Sequence, residues 1–275
     1  MEETKYLYHY TSLESLALIL KNRTIRLNPL DKMDDLQEQK TADIENAGKF
    51  VFVSSWTDDP TESIPMWKMY TNPASGIRIK LKKNPFLWHD TFAKDIVQKT
   101  GIPLSPDSDP NGKIHSFLDL SELMQNGYYS VQAFGGAILD QVVYTDDLSL
   151  LEPKILKQDD KGTSLELGSL GIHKSSYWSF QKEWRYRMLF MNMNFNGSPE
   201  EMEQKAIQSM VRLIQGVEKP PFRYYDLDID PKAFGEMEIM CSPQMSAGNR
   251  VLLDSLVEKF NSSAKVVQSE LYGKL

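Results

Sequence analysis

The stretch Glu183-Trp184-Arg185-Tyr186-Arg187-Met188-Leu189-Phe190 alternates with a period of two. Trp184, Tyr186, Met188 and Phe190 fall on one side of an extended chain, and Glu183, Arg185 and Arg187 on the other. That spacing predicts a β-strand with an apolar face and a charged face. A strand needs partners, and the sequence offers several. Phe50–Trp56 is β-branched and aromatic, with hydroxyls Ser54 and Ser55 near its end. Gly76–Leu81 alternates apolar and basic residues, and Tyr6–Tyr10 is a short aromatic run. Thr11 with Glu14 reads as a capping box, and Leu13, Leu16, Ala17 and Leu20 continue at helical spacing to about Asn22. Ile25–Leu27 reads as a short strand and Pro65–Tyr70 as a short helix.

Toward the other end, Ser198-Pro199-Glu200-Glu201 opens a helix that should stop at Gly216. Phe222–Ile229 and Met237–Cys241 read as strands. Arg250–Phe260 reads as a helix with Val251, Leu252, Leu256 and Val257 as its apolar stripe, and Ala264–Val267 as a last strand. Asp140–Tyr144 is a further strand candidate, and Lys174–Gln181 is helical or irregular. Segments 101–114 and 158–172, rich in Pro, Ser, Asp or Gly, read as loop insertions in a single domain. Strands in both halves with helices between them make the fold class α+β.

Of the 275 residues, 41% are hydrophobic and 25% charged, which excludes a disordered, collagen-like or coiled-coil chain. A net charge of −7 argues against a protein that lives on polyanions, although a local basic strip such as Arg78, Lys80, Lys82 and Lys83 would still serve a nucleic acid. Cys241 is the lone cysteine, so no disulfide forms within the chain. The four histidines are too dispersed for a zinc signature, and no metal is expected. No apolar run reaches membrane-span length and no secretory leader is visible, so the expectation is a cytoplasmic protein without a membrane partner.

There is no GxGxxG, Walker, HExxH or GxSxG motif. Polar residues at predicted strand ends remain. His9, in Tyr8-His9-Tyr10-Thr11, stands where a strand meets a helix and can donate to a sugar hydroxyl or a diphosphate; an edge histidine in an aromatic core is the plainer account. Ser54 and Ser55 can hold a ribose, and Trp67 or Tyr70 can stack on a flat ring, with a cation–π gain if the ring is cationic. Core packing is the commoner fate of such aromatics. Period two puts Gln181, Glu183 and Arg185 on one face if the strand starts that early. Glu183 there can stabilise positive charge developing on a sugar; a Glu–Arg pair on a solvated face is the competing account.

Taken together, Tyr8-His9-Tyr10-Thr11-Ser12, Ser54-Ser55-Trp56 followed by Met66-Trp67 and Tyr70, and Lys174, Trp178 and Gln181-Lys182-Glu183-Trp184-Arg185 resemble a widespread bacterial family of unknown function. Its pattern is Y-H-Y, then S-F-S with M-W-x-x-Y, then K…W-x-x-E-x-E-x-R, and Asp34-Asp35-Leu36-Gln37-Glu38 resembles its acidic N-D-P-F-E stretch. The likeness runs from Tyr6 through Ser269. That family is in turn similar to the ADP-ribosyltransferase fold and its DNA-modifying toxins. The resemblance implies a split β-sandwich with flanking helices over residues 1–275 and NAD in its cleft. It implies His9 near the adenosine ribose, Trp67 or Tyr70 against nicotinamide, and Glu183 as the catalytic carboxylate. Gln181 stands where many relatives carry Glu; it keeps hydrogen bonding but cannot act as a base, which makes arginine a poorer acceptor.

The expected site is therefore Glu183 and Gln181 as the catalytic pair, with His9, Tyr10, Thr11, Ser54, Ser55, Trp67, Tyr70 and Arg26 around NAD. The expected function is NAD-dependent mono-ADP-ribosyl transfer to a nucleic acid or a protein, as in a toxin or phage-defence effector. Two alternatives stand beside it: a nucleotide- or partner-binding module of the same fold without turnover, favoured if Glu183 is tied up by Arg185 or Arg187, and an NAD glycohydrolase.

Overall fold

Strand β5 (Glu183–Asn192) is the spine of the molecule, as its alternation predicts. The computed structural model describes residues 5–100, 109, 111–134, 137–160, 162–193 and 197–275. Within them, β1 (Tyr6–Ser12), β2 (Thr24–Pro29), β3 (Val51–Thr57), β4 (Gly76–Lys82), β6 (Tyr225–Asp228), β7 (Glu238–Cys241) and β8 (Lys265–Val267) join β5 in one mixed sheet. The order along the sheet is β6-β2-β3-β1-β4-β7-β8, with β5 on the far edge of β3. The pairs are antiparallel except β7 with β8. Tyr128–Ser130 and Leu139–Gln141 add to β5 in turn. The architecture is a mixed α+β fold, and among the described residues no helix is long and apolar enough to cross a membrane.

The register of β3 creates the site. One edge is fully paired with β5, from Val51 opposite Leu189 to Thr57 opposite Glu183. The other edge is shared. β2 takes Phe52 and Val53, whereas β1 takes only Thr57. Ser54, Ser55 and Trp56 have no ladder partner on that side, because β1 and β2 diverge there. Helix α1 (Leu13–Asn22) spans the fork, running from the end of β1 to the start of β2. Its cap is Ser12, whose hydroxyl accepts from the Ser15 amide at 3.1 Å, one residue beyond the expected Thr11, because β1 stays paired to β4 through Ser12. Short helix α2 (Ile64–Tyr70) follows β3, with Ser63 as its cap.

Both faces of β3 and β5 are covered. Phe52, Trp56, Tyr186, Met188 and Phe190 enter the main core with Leu7, Leu27, Ile77 and Ile79. Val51, Val53 and Leu189 enter a second core with Leu30, Phe50, Leu170 and Leu213. The charged face of β5 is consequently not solvated, contrary to the plain reading of its alternation: Glu183 is 3% exposed, Arg185 0% and Arg187 8%.

Segment 158–172 is no passive insertion. It completes a hairpin, Leu156–Asp159 with Gly162–Leu165, and then buries Leu167 and Leu170 in the second core. Of segment 101–114, positions 101–108 and 110 lie outside the described residues, and Lys113–Ser116 pairs with His89–Phe92. Helix α3 (Pro199–Ile214) carries the predicted capping box at Ser198 and Glu201. Helix α4 (Ala247–Phe260) buries Leu253 and Val257 and leaves Val251 and Leu252 exposed, so its apolar stripe is rotated from the predicted one.

Candidate functional site

A cavity of about 440 Å³ fills the fork between β1 and β2, a size suited to a small-molecule ligand. His9, Tyr10 and Thr11 of β1, Ser54 and Ser55 of β3, and Arg26 of β2 line it. Tyr70 at the end of α2, with Gln181 and Glu183 at the start of β5, lines it too. Nine of the ten residues expected at the site therefore meet in one place.

Trp67 is the exception. It is 3% exposed and packs edge-on against Tyr10, with ring centroids 4.9 Å apart. Its indole N–H donates to Glu62 at 2.9 Å. One turn of α2 separates it from Tyr70, and the pitch of the helix turns Trp67 into the core and leaves Tyr70 half-buried at the cavity.

His9 bridges the fork. Its Nδ1–H donates to the Ser55 carbonyl at 2.8 Å, the group that β1 leaves without a ladder partner. Burial holds its pKa below the usual histidine value, against the pull of the Ser55 carbonyl, so the ring is neutral with Nε2 as an acceptor. The ring lies 5.0 Å from that of Trp56, whose indole N–H donates to the Ser54 hydroxyl at 3.0 Å. Ser54 thus fixes a wall of the cavity. The Tyr10 hydroxyl accepts from the Ser63 amide at 3.1 Å and anchors the start of α2. Arg26 reaches the cavity but is committed to Asp226 through two hydrogen bonds of 2.8 and 2.9 Å, and its guanidinium lies 3.4 Å from the Tyr224 ring centroid.

Glu183 sits in a buried network of alternating charge. Its Oε1 accepts from Arg185 Nε at 2.6 Å, and its Oε2 accepts from Arg185 Nη2 at 3.2 Å and Lys174 Nζ at 3.1 Å. Burial pushes its pKa up, but Arg185 and Lys174, helped by the Ser55 hydroxyl, outweigh this and bring it down to about 2. Its amide donates to the Tyr144 hydroxyl at 2.8 Å. Arg185 also donates to the Gly171 carbonyl at 3.2 Å, and its Nη2 forms an ion pair with Glu38 Oε2 at 2.5 Å. Glu38 is 2% exposed, and burial raises its pKa against the opposing charges of Arg185 and Lys174. Arg187 pairs with Asp140 at 2.9 Å and donates to the Gly168 and Leu170 carbonyls.

Gln181 is not on the strand. It ends a 3-10 turn, Ser176–Gln181, and Lys182 in the left-handed region (φ 45°) separates it from β5. It still lies beside Glu183 in the cavity wall, 4% exposed. Its Nε2 donates to the Tyr70 hydroxyl, and its Oε1 has no hydrogen-bond partner. Burial, joined by the charges of Asp34, Glu183 and Glu38, raises the Tyr70 pKa, against the pull of Gln181.

The expected basic strip on β4 does not form. Arg78 is buried, 4.0 Å from the Tyr8 ring centroid, and donates to the carbonyls of Asp59 and Pro60 at 2.7 and 2.9 Å. Lys80 pairs with Glu238 at 3.7 Å, and Lys82 pairs with Glu236. Lys83 lies 4.5 Å from the Trp184 ring centroid. Sequence reasoning missed Glu38, Asp226 and Tyr144 as members of the site and its supports. Only Glu38 had a signal, its place in the acidic stretch Asp34–Glu38.

Among the described residues, no cluster of three or more His, Cys, Asp or Glu side chains is arranged to hold a metal ion. No protein-family model matches the sequence, and neither does any curated protein.

Proposed function

We propose that the cleft binds NAD and that the protein is a mono-ADP-ribosyltransferase of the split β-sandwich type, modifying a nucleic acid or a protein as a toxin or phage-defence effector does. The observation that carries this reading is convergence. His9, Ser55, Tyr70 and Glu183 come from distant parts of the chain, yet they line one cavity opened by the fork of β1 and β2.

The residues present fit such a ligand. His9 offers a neutral acceptor nitrogen for a sugar hydroxyl, Tyr70 offers a half-buried ring for a planar group, and Gln181 offers an unpartnered buried oxygen. NAD brings a nicotinamide–ribose bond whose cleavage leaves positive charge on the sugar. Glu183 is ionised at neutral pH and oriented by Arg185 and Lys174, so it presents a fixed carboxylate that needs no reorganisation. Gln181, fastened to Tyr70, is the residue that would face the acceptor.

One observation favours a second reading, a module that binds a nucleotide without turnover. Glu183 is held by three hydrogen bonds from two cations, which offset much of its charge. Incubating the purified protein with NAD and measuring nicotinamide release separates the two. Release points to an enzyme, and its acceleration by oligonucleotide or by protein extract separates transferase from glycohydrolase. NAD binding with no release under any acceptor condition selects the binding module, and no NAD binding at all overturns the NAD reading.

A further inference from the structure

We propose that Glu38 and Gln181 form an acceptor pair on the wall of the cleft that selects a primary carboxamide over a carboxylate; this rests on NAD being the ligand. Both residues line the cavity and both are more than nine-tenths buried. Glu38 Oε1 has no hydrogen-bond partner, while Oε2 is paired with Arg185. Gln181 Oε1 is likewise without a partner, because its amide nitrogen is the group fastened to Tyr70. Buried acceptors without donors are costly and uncommon in a folded protein. Two of them on the wall of one cavity make a place for a ligand that brings N–H groups.

A primary carboxamide carries two N–H donors on one nitrogen and has no charge to desolvate. A carboxylate has no donor at neutral pH, and it would add a negative charge beside Glu38, Glu183 and Asp34. The nearby cations do not reverse this preference. Arg185 is shared by Glu183, Glu38 and the Gly171 carbonyl, and Lys174 is bonded to Glu183. Lys32 is largely solvated and lies 3.4 Å from Asp31. Tyr70 beside the pair also sees mainly negative neighbours, Asp34, Glu183 and Glu38. The same wall therefore suits the amide and the cationic ring of nicotinamide together and rejects the nicotinic acid form.

The test is calorimetric titration with NAD and with nicotinic acid adenine dinucleotide, which differ only at this group. Wild type should bind the amide form about tenfold tighter, the range of one hydrogen bond to a buried acceptor. Glu38→Gln supplies an N–H₂ that a carboxylate can accept, so the preference should fall by about tenfold or more. Gln181→Leu, which also frees Tyr70, should weaken the amide form more than the acid form and so lower the ratio between them. Equal binding of both dinucleotides by wild type overturns the inference and leaves the NAD reading intact. A folded Glu38→Gln variant with the wild-type ratio overturns it as well. If Glu38→Gln does not fold, an unchanged ratio in Gln181→Leu overturns it. Wild type binding neither dinucleotide removes the function reading and this inference with it.

Discussion

Replacing Arg185 by Met removes a guanidinium that is 0% exposed and touches two buried carboxylates, Glu183 at 2.6 Å and Glu38 at 2.5 Å. Met fills similar length with no charge, so the variant leaves Glu38 and Glu183 with Lys174 as the cation near both. Breaking a buried ion pair by deleting one partner costs about 3–5 kcal/mol. The depression of Glu183 gives an independent figure. From its ordinary 4.5 down to about 2, at about 1.4 kcal/mol per pH unit, the network contributes about 3 kcal/mol through this carboxylate at neutral pH. The sign follows from the direction of the shift. A carboxylate depressed in the folded state stabilises above its unfolded value and loses that contribution as pH falls from 4.5 toward 2. In Arg185→Met Glu183 is raised instead and Glu38, already raised, goes higher still, so their burden is relieved by acid. The gap between wild type and variant, read from urea unfolding, should be about 3–5 kcal/mol at pH 7 and shrink steadily below pH 5. Adding Glu38→Gln should recover about 1–3 kcal/mol of it, the coupling expected for groups in contact. A pH 7 cost under about 1 kcal/mol, typical of an exposed pair, or no recovery in the double variant, would refute the picture of a shared buried cation.

Glu183→Gln should lower single-turnover nicotinamide release by about 10²–10³ while NAD affinity stays within a few-fold, since a carboxylate serving a developing positive charge acts on rate. Trp67→Ala should cost about 3–5 kcal/mol of stability as a core truncation. Tyr70→Ala should instead abolish the thermal shift given by NAD with a smaller loss of stability, so melting curves with and without NAD tell the two aromatics apart. His9 should titrate below its ordinary 6.5, because burial disfavours the charged ring. Its contribution is present above pH 6.5 and lost as pH falls through its folded value, so His9→Asn should unfold with a flatter pH dependence than wild type below pH 6.5.

Much of this was legible in the residues. The alternation of Glu183–Phe190 found the central strand, and Tyr6–Tyr10 and Phe50–Trp56 found two of its neighbours. Glu183, Ser55 and His9 were visible because polar groups at strand ends converge where strands meet. The burial of the charged face of β5 was not legible, because its cover comes from Leu167–Gly171 and Glu38, segments that read as polar loops. Trp67 was misjudged because two aromatics three apart on a short helix look alike until the direction of the core is known. Arg78 was misjudged for a related reason: alternation on β4 separates two faces but does not say which of them meets water. The short strands Tyr128–Ser130 and Leu139–Gln141 are completed by pairing with β5 and have little pattern of their own.

The walls of the cleft are joined by pairings far apart in the chain. Arg26 meets Asp226 across 200 residues, the Thr57 hydroxyl donates to the Lys182 carbonyl across 125, and the Ser269 hydroxyl donates to Glu62 across 207. Contacts of such separation close late, since loop-closure entropy must be overcome before they form. During synthesis, a nascent chain that has passed Ser198 holds β1, β3 and β5 but lacks the β6 strand that braces β2, and Ser269, which braces the start of α2 through Glu62, emerges later still. A cleft joined in this way is complete only once Asp226 and Ser269 have been added, so a chain that stops short of them has the pieces of the fork without its braces.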